Sequence, residues 1–513
     1  MTRNLVNLAT LPAIMLALVA GAINVFAFAP FGWWPLQIIT LALLFHLLSQ
    51  ERSVKSSFLI GWAFGTGWLV TGVYWLYISM YEYGGMPSPM AALAVFLLAT
   101  FLGLLYASAG AMANWLRRRF QLSPTLFLLA ILPALWALAE WTRGWIFTGF
   151  PWIVSGYAHT ASPLSGFAPL IGVYGLGWLA ALIAASLLLV PNRKMIIALP
   201  VIILLAGFAL KKIEWTAPHG KPISVRLLQG NVPQDIKFDV NQANLTLRQY
   251  EDMIRATPAD LIATPETALP LLLHQLPADY LPRLAAFATA SNSHLAIGVP
   301  VSDDPVSYAN SVVGFSPTPA ATTPSLYRYD KHHLVPFGEF IPFGFRWFVN
   351  MMHIPLGDFT RGSKTPLPFA VKDQWVLPNI CYEDLFGEEI ADQIRTSRAN
   401  GAPEASMLLN VSNIAWFGDS IALPQHLQIS QMRALETGRP MLRATNTGAT
   451  AIIDPHGNIS AELPPFTLGA LTASVQGYQG VTPYIRFGNS VIVGITLLLL
   501  VASVMLGRRR QHN

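Results

Sequence analysis

Cys381 is the only cysteine among 513 residues, so it has no disulfide partner within the chain. It closes the apolar run WVLPNIC at 375–381 and precedes the polar stretch YEDLFG. A lone cysteine is commonly a small buried hydrophobe. The chemical alternative is a thiolate nucleophile at a strand-to-helix turn. There the strand end fixes the sulfur, and the first amides of the helix face developing negative charge. A thiol titrating at about 8.5 needs a base or a nearby cation to become a useful nucleophile. Two residues of the required types also follow apolar strands: Glu266 after LIATP and Lys331 after SLYRYD. A carboxylate can take the thiol proton and later return it. An ammonium can stabilise both a thiolate and a tetrahedral oxyanion. Each signal alone is weak, since a Glu or Lys beyond a strand is usually a solvated end. Together the three meet one chemical requirement.

Positioning them falls to residues 213–485, where charges and alternating strand and helix patterns appear. ISVRLLQ, ADLIATPE, HLAIGVP, YANSVVGFS, SLYRYDK, WVLPNIC, ASMLLNVSN, PMLRATNTG, TAIIDPHG and LGALTASV read as strands. LTLRQYEDMIRAT, LPRLAAFATA and SIALPQHLQISQMRALETG read as helices. One domain of two-layer sheets covered by helices is expected. Residues 340–372 are poor in elements, and read equally as an apolar lid or a long irregular loop. No metal-ligand spacing is present; His332 and His333 are adjacent, and His426 on its helix reads as structural or surface. Arg433, Glu436, Arg439 and Arg443 read as an ion-pair network at the foot of the domain in preference to a lipid-headgroup site.

The remainder is a membrane protein. The chain is 53% hydrophobic and only 12% charged, against about 25% charged in soluble domains. From Ser56 to Leu116 the only formally charged residue is Glu82. Apolar spans are expected at 9–29, 33–50, 57–79, 89–115, 122–140, 165–190, 195–210 and 488–507, the second and seventh being short. The opening stretch resembles a signal peptide, but the apolar runs after it favour a retained span over cleavage near Ala20 to Ala22. The net charge of +5 does not indicate nucleic acid. Its basic residues cluster at span ends: Arg3, Arg52 and Lys55, Arg117 to Arg119, Arg193 and Lys194, and Arg508 to Arg510. All fall on one side if there are eight spans with both termini cytoplasmic. Lys211 and Lys212 break the pattern at the start of a large translocated domain. Omitting 195–210 gives seven spans and a cytoplasmic domain instead.

The opposite loops, FAPFGWWP, YEYGGMPSP and WTRGWIFTGFPW, are aromatic, as an interfacial belt would be. Glu140, Trp141, Arg143, Trp145 and Trp152 nevertheless cluster near one outer mouth, where buried charge is costly and tends to be functional. Arg143 has two candidate partners, a lipid phosphate or Glu140.

TPETALP at 264–270, YDKHHLVPFGEF at 329–340 and NICYEDLFGE at 379–388 resemble the signature stretches of the nitrilase, or carbon–nitrogen hydrolase, superfamily. With spans on both sides, the chain resembles the membrane-embedded apolipoprotein N-acyltransferase branch over nearly its full length. The resemblance implies a polytopic α-helical membrane domain plus an α/β nitrilase-like αββα sandwich. It divides the chain into 1–212 with seven helices, a periplasmic catalytic domain at 213–485, and 486–513 as a last helix and basic tail. It implies Glu266 as general base, Lys331 as thiolate and oxyanion stabiliser, and Cys381 as nucleophile. Glu339 matches a second acid beside the triad. Tyr382 and Glu383 support the nucleophile, the Tyr382 amide as a candidate oxyanion donor. Asn413 and Trp416 shape the pocket, to which Arg143 and Trp152 are further candidates. The implied reaction moves an acyl chain from a phospholipid, with phosphatidylethanolamine as the implied donor, to the α-amino group of a diacylglyceryl-cysteine apolipoprotein. No cofactor, no nucleic acid and a monomer are implied. The competing readings are a membrane-tethered amidase or nitrilase-like hydrolase, with water as acceptor, and a transporter or scaffold. The near-absence of charge across 56–116 argues against the last.

Overall fold

In a computed structural model, the described residues are all except 1–8, 51, 238, 305–306, 318–325, 343, 345, 347–358 and 513. Arg3, and residues 343, 345 and 347–358 of the expected lid or loop at 340–372, therefore lie outside the described residues. The chain folds into two compact units: Met1–Tyr77 with Pro87–Ile213 and Phe487–Asn513, and Ile78–Met86 with Glu214–Arg486.

In the first unit, five helical stretches among the described residues are long and apolar enough to cross a membrane: Thr10–Ala27, Ser88–Arg119, Pro124–Arg143, Pro163–Leu187 and Ser490–Arg509. Trp34–Ser49 and Lys194–Leu210 are shorter apolar helices. The expected span at 57–79 is broken: Val54–Gly72 and Leu76–Tyr83 meet at an angle of 61°. Small residues allow close helix approach. A Cβ on Gly21 would run into the Phe64 carbonyl, and one on Gly67 into that of Leu18. Inside, Trp68 stacks on Trp136 with centroids 5.7 Å apart.

The second unit has twelve strands among its described residues. They are β1 (Ala217–Gln229), β2 (Leu261–Ala263), β3 (His294–Val301), β4 (Ala309–Phe315), β5 (Tyr327–Asp330), β6 (Phe369–Val371), β7 (Gln374–Ile380), β8 (Met407–Ser412), β9 (Met441–Thr445), β10 (Ala451–Ile453), β11 (Ile459–Glu462) and β12 (Gly469–Gln479). They form two six-stranded sheets, ordered β12-β1-β2-β3-β4-β5 and β11-β10-β9-β8-β7-β6. The pairs β1–β2, β2–β3, β7–β8 and β8–β9 are parallel, and the flanking pairs antiparallel. Parallel neighbours need covered faces, which explains the near-continuous apolar runs of these strands.

The core lies between the sheets. Val225, Leu227, Ala263, Ala296 and Val312 from one meet Val376, Ile380, Leu409, Val411 and Ala444 from the other. Helices Val240–Arg255 and Tyr280–Ser291 cover the outer face of the first sheet through Leu247, Tyr250, Ile254 and Leu284. Helices Gly387–Ala399 and Ala422–Thr437 cover the second through Ile390, Ile394, Leu427 and Ala434. The layering is thus αββα. Into this unit the stretch Ile78–Met86 also packs: Tyr83 meets Trp416 edge-on at 5.8 Å, and Ile78 lies beside Gly418. A turn at Asp454 to Gly457 joins β10 to β11, with the Gly457 amide donating to the Asp454 carbonyl at 3.0 Å.

Candidate active site

Each of the three chemical residues leaves the end of a strand: Glu266 shortly after β2, Lys331 directly after β5 and Cys381 directly after β7. Facing sheets therefore bring together residues far apart in sequence. Lys331 Nζ lies 2.8 Å from Glu339 Oε1 and 3.6 Å from Glu266 Oε1. Asn310 on β4 ties the carboxylates together, its Nδ2 donating to Glu266 Oε1 at 2.7 Å and to Glu339 Oε1 at 3.1 Å. The other Glu266 oxygen accepts from the Asn413 amide at 2.8 Å. The other Glu339 oxygen accepts from the Val335 amide at 2.9 Å. Lys331 is wholly enclosed, and both acids are buried.

Buried charge survives only when compensated. Burial pulls the Lys331 ammonium down, but the Glu339 and Glu266 carboxylates prevail and hold it above the usual lysine range. Burial and then the Glu266 carboxylate push the Cys381 thiol up, against the pull of Lys331. The resting site is thus a neutral thiol beside an ammonium held by two carboxylates. Moving the thiol proton onto Glu266 would redistribute charge without changing the total, and the Lys331 cation favours the thiolate so formed.

A second buried cation, absent from the sequence-derived set, borders this site. Lys237 donates to the Glu266 carbonyl at 3.1 Å and to Thr267 Oγ1 at 2.7 Å. Burial brings it down to about 8, while Glu266 and Cys381 oppose the fall. Asn310 was missed too. Within YANSVVGF it reads only as a polar interruption of a strand, next to Ser311.

Cys381 is half-buried and adopts φ 51°. Thr267, after the acid, has φ 46°. Left-handed backbone at non-glycine residues costs about 1–3 kcal/mol each and is sustained only by surrounding contacts. After Cys381 the chain makes a 3-10 turn, Cys381–Leu385, and the α-helix starts only at Gly387. This corrects the expectation that the first amides of an α-helix face the sulfur: only those of the short turn adjoin it.

Glu383 fastens this turn. It accepts from the Ile380 amide at 2.7 Å, Tyr329 Oη at 2.7 Å, the His332 amide at 2.6 Å and the His333 amide at 3.1 Å. Burial raises its pKa, and these donors oppose the rise. The loop bearing Lys331 is thereby joined to the strand bearing Cys381. Tyr382 is buried, its ring edge-on to Phe386 at 5.3 Å.

Asn413 serves the site through its backbone, while its Nδ2 donates to Gln234 Oε1 at 2.7 Å. Trp416 remains 37% exposed, enough to offer an apolar face. Arg143 and Trp152 belong to the first unit and are buried there. Arg143 Nη1 donates to the Phe150 and Trp152 carbonyls, both at 2.8 Å. Glu140 accepts from the Ser155 amide at 2.7 Å. Arg143 thus braces its own loop.

The ion pairs around Arg433, Arg439 and Arg443 are present: Arg433 with Glu436 at 3.0 Å, Arg439 with Glu404 at 2.6 Å and Arg443 with Asp384 at 3.2 Å. They are not confined to the foot of the domain, since Asp384 lies three residues past Cys381. His426, read as structural or surface, is fully buried.

Residues 20–186 match the family model for the apolipoprotein N-acyltransferase N-terminal domain, and 224–484 that for carbon-nitrogen hydrolase. An apolipoprotein N-acyltransferase of Ralstonia nicotianae is 50% identical, covering 97% of this chain and 93% of the relative. One of Nitrosomonas europaea is 44% identical, covering 96% and 98%. Among solved structures, a Nesterenkonia AN1 amidase of the nitrilase superfamily is 18% identical, covers 54% of this chain and 97% of its own, and gives a TM-score of 0.36.

Proposed function

The chain belongs to the apolipoprotein N-acyltransferase family, and from that premise we propose that it transfers a fatty acyl chain from a membrane phospholipid to the α-amino group of a diacylglyceryl-cysteine apolipoprotein. Glu266 takes the Cys381 proton as the sulfur attacks the donor ester, with phosphatidylethanolamine the expected donor. The tetrahedral oxyanion draws on Lys331 and the Tyr382 amide. Its collapse leaves a thioester on Cys381, and Glu266 returns the proton to the departing lysophospholipid oxygen. The acceptor amine then attacks the thioester. Its proton passes through Glu266 to the released sulfur, which restores the thiol. Glu339 holds Lys331 in place, Glu383 holds the nucleophile turn, and Asn413 and Trp416 border the acyl chain.

In this reading the protein is a monomer of the bacterial inner membrane, with residues 1–212 and 486–513 in the bilayer region and both termini cytoplasmic. Residues 213–485 face the periplasm. Both substrates are lipid-anchored, so confinement to one leaflet raises their effective concentration. Excluding water from the thioester separates transfer from hydrolysis.

The observation that carries the proposal is the buried Lys331 held by Glu266 and Glu339 beside the chain's single thiol. Intact mass measurement after incubation with phospholipid alone is the test. One added acyl chain, absent in Cys381→Ser and discharged by a diacylglyceryl lipopeptide with formation of N-acyl product, is expected. Discharge only to free fatty acid would mark a hydrolase. Acylation at another residue would remove Cys381 from the nucleophile role.

A further inference from the structure

Beneath the nucleophile lies a buried polar chain with no part in the proton transfers above. The Cys381 carbonyl accepts from Asn410 Nδ2 at 3.3 Å and faces His426 Nε2 at 3.3 Å. His426 Nδ1 in turn faces Arg443 Nη2 at 3.1 Å. A guanidinium nitrogen can only donate. Nδ1 must therefore accept, the proton resides on Nε2, and the imidazole donates to the Cys381 carbonyl. Arg443 is locked in turn: Nη1 pairs with Asp384 Oδ2 at 3.2 Å and contacts Ser430 Oγ, and Nε donates to the Ala449 carbonyl at 3.2 Å. His426, Arg443 and Asp384 are all fully buried. Burial, then the neighbouring Arg443, pulls His426 well below its ordinary range, in keeping with a neutral ring.

The consequence concerns one peptide plane. In a trans peptide the carbonyl and the next N–H point in opposite directions. Two donors gripping the Cys381 carbonyl therefore set the direction of the Tyr382 N–H. Drawing electron density from the carbonyl also strengthens that N–H as a donor. The grip acts on a residue whose left-handed φ of 51° needs outside support.

We propose that His426, its tautomer fixed by Arg443 and assisted by Asn410, is a positioning residue that orients and polarises the Cys381–Tyr382 peptide for oxyanion stabilisation. The inference rests on the acyl-enzyme reading of Cys381. Its test compares two reactions of the same sulfur. Acylation by phospholipid passes through an oxyanion, whereas alkylation by iodoacetamide does not. Because the chain has a single cysteine, both adducts report on Cys381 alone.

For His426→Leu the acylation rate constant at saturating phospholipid is expected to fall on the order of 10–100-fold. Half-saturation and alkylation rate should stay within about threefold of wild type, the spread we allow for indirect effects. His426→Gln, which can offer an amide donor near the Nε2 position, should recover most of the acylation, whereas the shorter His426→Asn should not. Equal acylation by the Gln and Asn variants would overturn the inference, as would parallel loss of acylation and alkylation in His426→Leu. If wild type alkylates but is not acylated, the acyl-enzyme reading fails instead, which keeps the two failures distinct.

Discussion

Replacing Glu266 by Gln preserves shape and removes the proposed proton acceptor. Asn310 and the Asn413 amide both donate to this carboxylate; a glutamine can accept from only one of them with its oxygen. Cys381 acylation should slow by at least about 100-fold, while retention on phospholipid vesicles is kept; near-normal burst acylation would remove Glu266 as base. Lys237 gives a prediction on stability. Its folded pKa, about 8, lies below the ordinary lysine value of 10.5. Between those values the unfolded chain holds a proton that the folded one lacks, so this group makes stability rise with pH. The gain amounts to roughly 1 kcal/mol from pH 8 to 9. Lys237→Met should lack that gain when melting temperatures are compared with wild type across the interval. Neither Lys237 nor Asn310 was legible as a site residue, because a single polar side chain on a loop or strand carries no record of what faces it. Glu266, Lys331 and Cys381 were legible because each follows an apolar run that reads as a strand.

At the scale of elements, the close fit of β3 against the turn carrying the acid makes Gly298 a sensitive position. A Cβ there would strike the Pro265 carbonyl, a backbone atom with little room to give. Gly298 is further bound on both sides: its amide donates to Thr264 Oγ1 at 2.9 Å, and its carbonyl accepts from the Leu269 amide at 3.2 Å. Gly298→Ala should cost about 1–3 kcal/mol by denaturant unfolding and slow acylation by shifting Glu266, without changing the protein's helix content by circular dichroism. The strands were readable from composition because buried parallel strands are continuously apolar. Strand order was not, since β1 pairs with β12 across more than two hundred intervening residues. The break near Val73 was equally hidden: hydropathy alone does not distinguish a straight span from one bent by 61°.

For the whole molecule, the proposed topology has a direct test in a Cys381→Ser background, which contains no other thiol. Lys221→Cys and Arg118→Cys each place one at an exposed position. A membrane-impermeant maleimide should label the first in intact spheroplasts and the second only after permeabilisation. Protection of both until permeabilisation would put the catalytic domain in the cytoplasm, as the seven-span alternative has it. A different consequence attaches to Ile78–Met86, which folds with Glu214–Arg486 although far from it in sequence. A gene fragment beginning at Glu214 and ending at Arg486 would encode a truncated protein short of one of its own pieces. It would leave the face of Trp416 that meets Tyr83 bare. Expressing a usable soluble version therefore calls for grafting that short peptide back, or covering the exposed indole with a polar substitution.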